Sequence, residues 1–132
     1  TSEDMTEHSG YRAASRMLQA ESPPTAFLAA SMLSGMGVRR AIEARGLKMG
    51  RDVSVIIFDD ELSYLKNGED VPIFTATRSS VRDAGRIAAQ MLLDHIANPD
   101  APPTHRLLEA DLILGQSTGP APHPEAARAD TL

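Results

Sequence analysis

The chain has 132 residues, a formal net charge of −5, 42% hydrophobic residues and no cysteine. This length is enough for one modest domain with a core, and the lack of cysteine excludes disulfide bonds and thiol chemistry. An acidic surface repels phosphate backbones, so the chain by itself is a poor nucleic-acid binder. No apolar run approaches the roughly 20 residues that a membrane helix needs, and the first residues, TSEDMTEHSGY, lack the basic start and apolar stretch of a signal peptide.

The first part of the chain predicts a helix, a strand and a second helix. A helix is predicted over 9–20, with Ser9 as its N-cap. Its apolar stripe consists of Tyr11, Ala14 and Leu18. The run TAFLAA, 25–30, has no polar alternation and therefore predicts a strand covered on both faces. The stretch MLSGMGVRRAIEAR, which follows Ser31, predicts the next helix.

The second part predicts one strand before a long helix and another strand after it. VSVIIF, 53–58, is rich in β-branched residues and predicts a buried strand. After the polar loop 59–73, FTATR is expected to be extended, and a helix follows from Ser80. Its predicted core-facing stripe consists of Val81, Ala84, Gly85, Ala88, Met91, Leu92 and His95. HRLLEADLIL predicts a half-exposed strand with Leu108, Ala110, Leu112 and Leu114 on one face.

This alternation of helices and strands predicts an α/β layered fold with a largely parallel sheet. Residues 1–118 are expected to form one unit, and the Pro- and Ala-rich residues 119–132 a flexible tail. Two buried strands are few for such a sheet, so we expect another segment to precede this one in the complete protein.

Three consecutive acids, Asp59, Asp60 and Glu61, follow the second predicted strand. In open parallel sheets, ligands bind beyond the carboxyl ends of the strands, which is where Asp59 stands. Neighbouring residues of an extended segment point in opposite directions, so Asp59 and Asp60 do not form a facing acid/base pair. Two interpretations remain: one carboxylate binds a polar ligand such as the vicinal hydroxyls of a sugar, or both acids are turn and cap residues.

Other chemistries have little support in the sequence. The four histidines, His8, His95, His105 and His123, are far apart and predict no metal site. No GxSxG motif is present and no cofactor is expected. Ser31 is either a simple N-cap or a cap that also contacts a ligand. Arg78 either reaches the crevice or is solvated or paired with an acid, and the sequence favours a solvated or ion-paired role.

Three stretches in order resemble one family of proteins. PPTAFLAASMLSGMGVRRAIEARGLKMGRDVSVIIFDD, FTATRSSVRDAGRIAAQMLLDHI and GQSTGPAP are similar to the C-terminal effector-domain segment of LacI/GalR-type bacterial transcription regulators. The sequence FDDELSY…GEDVPIFTATRSS resembles that of regulators of α-glucoside utilisation in particular. The resemblance spans about 9–122 and implies a three-layer, Rossmann-like, periplasmic-binding-protein-like lobe, here incomplete. It also implies that a helix-turn-helix and an N-terminal lobe belong to the complete protein.

The resemblance implies three ligand-binding positions. Asp59 matches the first acid of the family's aromatic-Asp-Asp motif and is expected to bind hydroxyls. The family's Asn-Asp at the strand-to-helix junction is Ser31-Met32 here, and its Gln after TTxR is Ser79. Ile57 stands where the family usually has Gly. These departures put ordinary monosaccharide binding in doubt and leave room for a bulkier ligand.

The family dimerises partly through this lobe, and Met36, Arg40 and Tyr64 fall on the expected interface. The leading hypothesis is therefore the sugar-sensing and dimerisation part of a cytoplasmic regulator, which binds DNA only through its N-terminal domain and does no chemistry on its effector. The rival is a sugar-binding protein of a transport system. A small hydrolase that uses Asp59 is the alternative from another class.

Overall fold

The computed structural model describes residues 4–61 and 65–121, which form an α/β structure. Its elements in chain order are α1 (Glu7–Met17), β1 (Ala26–Ala29), α2 (Met32–Glu43), β2 (Ser54–Asp59), β3 (Thr75–Arg78), α3 (Val81–Ala97) and β4 (Asp111–Ile113). The strands form one sheet in the order β1-β2-β3-β4. The first two pairings are parallel and the pairing of β3 with β4 is antiparallel. The predicted α/β class and largely parallel sheet are confirmed.

Helix α1 begins three residues earlier than the predicted N-cap would place it. Thr6 is the N-cap, and its hydroxyl accepts a hydrogen bond from the Ser9 amide at 3.1 Å. The Ser9 hydroxyl in turn accepts one from the Thr6 amide at 3.1 Å, so the two residues form a capping box. The predicted cap at Ser9 is therefore wrong. The predicted stripe is confirmed, since Ala14 and Leu18 are buried and Tyr11 packs against the core.

The core lies between the sheet and the layer of α1 and α2. Its buried apolar residues are Ala14, Leu18, Ala29, Met32, Val38, Ala41, Ile42, Val53, Val55, Ile57, Phe74 and Ala76. Helix α2 contacts β1 and β2 on one side and α1 on the other. Gly10 and Gly37 allow the two helices to approach closely, because a Cβ at either glycine would overlap the backbone of the facing helix.

The opposite face of the sheet is open in the described residues. Leu28 of β1 is 80% exposed although its neighbour Ala29 is buried, so the prediction that β1 is covered on both faces is wrong. Strand β4 is shorter than predicted. The face that carries Leu112 and Leu114, which we expected to be covered, is the exposed one. Leu112 and Leu114 are exposed, whereas Ile113 between them is partly buried. The sequence shows that apolar and polar residues alternate along this strand. Which of the two faces is covered depends on how β4 pairs with β3.

Helix α3 has no buried residue. The prediction that its apolar stripe faces the core is therefore wrong for the described part of the chain. Leu92, Leu93 and Ile96 are all more than half exposed. An amphipathic pattern identifies the face of a helix that excludes water when it is covered, but not the segment that covers it. The unit predicted for 1–118 and the tail predicted for 119–132 stay predictions, and residues 122–132 lie outside the described residues.

Candidate functional site

Asp59 is the last residue of β2 and stands at the carboxyl end of that parallel strand. Its side chain is buried, with the whole residue only 8% exposed. Oδ1 accepts a hydrogen bond from the Glu61 amide at 3.1 Å, and Oδ2 accepts one from Nη2 of Arg78 at 3.2 Å. An ionised carboxylate offers about four acceptor positions. Asp59 therefore keeps acceptor capacity for a ligand, while two partners already fix its orientation.

Arg78 reaches Asp59 because the two residues are register partners on adjacent strands. Paired residues of a parallel ladder project from the same face of the sheet. The Nε of Arg78 lies 3.7 Å from Oε1 of Glu61, beyond hydrogen-bond distance. This Nε is buried and has no hydrogen-bond partner among the described residues. Arg78 thus lies between two acids and has a full hydrogen bond to only one of them.

Glu61 has a backbone conformation that is unusual for its residue type. Its φ is +56°, in the left-handed region that side-chain-bearing residues rarely adopt. This conformation accompanies both the amide contact with Asp59 and the approach of its carboxylate to Arg78. No signal in the sequence marks this conformation at Glu61, since left-handed residues are usually Gly, Asn or Asp.

Two adjoining clefts meet at Arg78 and Glu61. The first, here called the Asp59 cleft, has a volume of about 320 Å³ and is lined by Asp59, Glu61, Leu65, Lys66, Asn67, Gly68, Glu69, Asp70, Pro72, Arg78 and Ile113. The second has a volume of about 300 Å³ and is lined by Glu61, Arg78, Ser79, Ser80, Asp83, Leu108, Glu109 and Asp111. Acids outnumber bases on both linings, so the local charge disfavours an anionic ligand.

The three predicted ligand-binding residues occupy different settings. Ser79 lies beside Asp59: its amide donates to the Asp59 carbonyl oxygen at 3.4 Å, and it lines the second cleft. Ser31 is the N-cap of α2 and accepts a hydrogen bond from the Ser34 amide at 3.2 Å. Its hydroxyl also lies 2.8 Å from that of Ser34. The predicted cap is thus confirmed, and ligand contact by Ser31 stays a prediction.

Asn67 holds the loop that forms one wall of the Asp59 cleft. Its carboxamide donates to the Phe74 carbonyl oxygen and accepts from the Phe74 amide, both at 2.8 Å. Asn67 is buried, so the pair of hydrogen bonds is shielded from water. No local sequence pattern predicts the contact of Asn67 with Phe74, because this contact depends on how the polar loop closes.

A third cleft, of about 510 Å³, lies between α2 and residues of the segment 65–74 and is here called the α2 face. It is lined by Glu7, Met32, Met36, Arg39, Arg40, Glu43, Leu65, Lys66, Ile73 and Phe74. Met36 is 40% exposed there. Arg40 is held by an ion pair with Glu7 at 2.9 Å and lies 4.4 Å from the centre of the Tyr11 ring. Tyr64, the third predicted interface residue, lies outside the described residues.

Residues 4–61 and 65–121 contain no group of three or more His, Cys, Asp or Glu side chains able to hold a metal ion. Over these residues, no helix is long and apolar enough to cross a membrane.

Comparison with known proteins identifies the family. Residues 1–118 match the periplasmic binding protein-like domain. The HTH-type transcriptional regulator AglR of Rhizobium meliloti (strain 1021) is 44% identical over 119 residues, which are 89% of this chain and 33% of AglR. The chain thus spans about a third of the length of this relative.

Two solved structures are similar in fold. The lac repressor dimer bound to operator and the anti-inducer ONPF has a TM-score of 0.73 and 28% identity, covering 87% of this chain and 39% of that one. The complex of the transcriptional regulator CelR with cellobiose has a TM-score of 0.72 and 29% identity, covering 86% of this chain and 34% of that one. The chain therefore belongs to the periplasmic binding protein-like domain family and corresponds to part of the effector-binding lobe of LacI-type transcriptional regulators.

Proposed function

We propose that this chain is the effector-sensing and dimerisation part of a DNA-binding transcriptional regulator that responds to a sugar. The effector binds in the Asp59 cleft and is not chemically changed. DNA is bound by a helix-turn-helix domain outside these residues, and the regulator acts in the cytoplasm.

The observation that carries the proposal is the Asp59 carboxylate. It is buried, ionically paired and oriented, and it stands at the carboxyl end of a parallel strand beside a cleft. Ligands of open α/β sheets bind at such ends. A carboxylate with unused acceptor positions suits the hydroxyl donors of a sugar, and the acidic surroundings favour a neutral ligand over a sugar phosphate or a sugar acid.

The relatives support this proposal. AglR is named an HTH-type transcriptional regulator, and the CelR structure contains cellobiose. The lac repressor structure is a dimer bound to operator. The present chain spans only about a third of the length of AglR. The properties of these relatives are therefore expectations for the complete protein.

Signalling would follow from a difference in sugar affinity between two arrangements of the complete protein. A ligand shifts a conformational equilibrium only as far as its affinities for the two states differ. Sugar bound at Asp59 would favour one lobe arrangement and so change the spacing of the paired DNA-binding domains.

Dimerisation would use the α2 face. Exposed methionine, arginine and aromatic residues are typical of interface cores. Met36 supplies the apolar contact, and Arg40 is already oriented by Glu7 and Tyr11. An oriented side chain loses less conformational entropy when a partner binds.

The test is a thermal-shift screen of the complete gene product with maltose, sucrose, trehalose, cellobiose and lactose. We expect at least one sugar to raise the Tm, and Asp59→Asn to abolish most of that shift. The matched control is Asp52→Asn. Asp52 is also paired with an arginine, Arg51, at 2.8 Å, but it precedes β2 and so lies at the opposite end of the strand. The Arg51 hydrogen bond, with help from the Lys48 amide, holds the pKa of the Asp52 carboxyl below its usual range.

Asp52→Asn should leave the sugar-induced shift unchanged. A sugar response that survives in Asp59→Asn would rule out the Asp59 cleft as the effector site. Turnover of a glycoside by the wild-type protein that is lost in Asp59→Asn would support an enzyme instead.

A further inference from the structure

We propose that Arg78 is the positioning residue of the effector site: it holds the Asp59 carboxylate in the orientation that receives the ligand. This inference rests on the proposed function. It assigns Arg78 a role through Asp59 and requires no contact between Arg78 and the effector.

The Asp59 carboxylate is buried beside a partly buried Arg78 side chain. Asp59 is 8% exposed, and the Arg78 side chain is 33% exposed. A buried carboxylate without a counter-charge is strongly disfavoured, and Arg78 is the basic residue that donates a hydrogen bond to Asp59 among the described contacts. Without the guanidinium, we expect the Asp59 carboxylate to turn toward water or toward another donor.

The two oxygens of the Asp59 carboxylate accept hydrogen bonds from different donors. Glu61 N–H binds Oδ1 from the same loop, whereas Arg78 Nη2 binds Oδ2 from the adjacent strand. The two donors approach from different elements, so together they fix the rotation of the carboxylate group. The Glu61 amide alone would leave this rotation free.

The Arg78 guanidinium is itself constrained by its surroundings. Its Nε is buried from water and lies 3.7 Å from Glu61 Oε1, so the guanidinium is confined between two acids. Arginine presents several donors in a fixed planar fork, whereas lysine presents a single charged group on a flexible stem. Lysine at position 78 should therefore keep the charge beside Asp59 but hold the carboxylate less firmly.

The test is isothermal titration calorimetry of the complete gene product with maltose, sucrose, trehalose, cellobiose and lactose. The variants are Arg78→Gln, Arg78→Lys, Asp59→Asn and the double variant Asp59→Asn/Arg78→Gln. Arg51→Gln is the matched control, because Arg51 pairs with Asp52 on the turn before β2. The Tm of every variant is measured to confirm that it is folded.

We expect Arg78→Gln to raise the Kd for the bound sugar by about tenfold or more, as loss of a charged hydrogen bond does. Arg78→Lys should recover part of this loss, and Arg51→Gln should leave the Kd unchanged. The informative comparison is the double variant. If Arg78 acts through Asp59, Arg78→Gln should add little to the effect of Asp59→Asn.

Four results would overturn the inference. Sugar binding that is unchanged in Arg78→Gln would refute it and leave the proposed function standing. Additive losses in the double variant would show that Arg78 acts independently of Asp59. If Arg78→Gln does not fold, Arg78→Lys decides: wild-type affinity in Arg78→Lys would show that charge alone suffices and that the orientation by the fork is unimportant. If the wild-type protein binds none of the five sugars, the sugar-binding proposal fails and the inference fails with it.

Discussion

The Ser117 hydroxyl donates a hydrogen bond to the backbone carbonyl oxygen of Val55, 62 residues earlier in the chain. The same hydroxyl accepts from the Thr75 amide at 2.8 Å, and the Val55 amide donates to the Ser117 carbonyl oxygen at 2.8 Å. Ser117 is fully buried and bridges the beginnings of β2 and β3, at the point where their own pairing starts with Ile56 and Thr75.

Ser117→Ala should therefore destabilise the fold by about 1–3 kcal/mol, because it leaves the Thr75 amide and the Val55 carbonyl without their side-chain partner. Urea unfolding of the complete gene product measures this. Ser54→Ala is the control, since the Ser54 hydroxyl bonds the Gly119 backbone at a more exposed place. An equal loss in both variants would show that burial of the Ser117 hydroxyl is unimportant.

The contact between Gly37 and Glu7 predicts a second stability effect. A Cβ at position 37 would overlap the Glu7 carbonyl oxygen, which is backbone and cannot rotate away. Gly37→Ala should cost about 1–3 kcal/mol, as overpacking in a tight contact does. The readout is again the urea midpoint.

The control for this substitution is Gly85→Ala. Gly85 lies within α3, and a Cβ there meets no atom within 4 Å in the described residues. Alanine in a helix interior is favoured over glycine by about 0.5–1 kcal/mol, so this variant should be more stable than wild type. Destabilisation would mean that a segment outside the described residues packs on α3 at Gly85.

Asn67→Asp should loosen the loop beside the Asp59 cleft. Aspartate cannot donate to the Phe74 carbonyl oxygen and would bring a buried negative charge against it. We expect a loss of at least about 1–3 kcal/mol and faster amide exchange at Phe74, measured by hydrogen-deuterium exchange. Asn98→Asp, an exposed substitution after α3, should cost less than about 1 kcal/mol. Unchanged exchange at Phe74 would contradict the role of Asn67.

Met36→Asp should weaken dimerisation through the α2 face. A charge buried at an apolar contact lowers the binding free energy, and each loss of about 1.4 kcal/mol raises the dissociation constant tenfold. We expect Met36→Asp to raise the dissociation constant of the dimer by at least about tenfold. Analytical ultracentrifugation of the complete gene product measures the constant. Met17→Asp is the control, because Met17 is exposed on α1 and does not line the α2 face. Equal dissociation constants for wild type and Met36→Asp would place the interface elsewhere.

The sequence predicted the elements whose signals are local. Helical spacing found the α1 stripe, and β-branched residues found β2. The N-cap of α1 was placed wrongly because Thr6 and Ser9 both suit the position, and the reciprocal pair of hydrogen bonds decides between them.

The site was only partly predictable. Asp59 could be located because a strand end is a local feature, and Arg78 was suspected of pairing with an acid. The choice of Asp59 as its partner depends on strand register across 19 residues. Glu61 stood out in the sequence only as the third of three consecutive acids, and nothing there indicated its left-handed backbone.

By itself, the sequence determined the α/β class, the order of the elements and the position of Asp59 at the end of β2, since these follow from local periodicity and residue type. Only the tertiary structure decided which faces are covered. In the tertiary structure, Leu28 and the apolar stripe of α3 are exposed, and the exposed face of β4 is the one that was expected to be covered. Tertiary contacts also place Arg78, Glu61 and Ser117 beside their partners. The physical reason is that burial and ion pairing depend on segments distant in sequence, and an amphipathic pattern does not specify which segment will cover it.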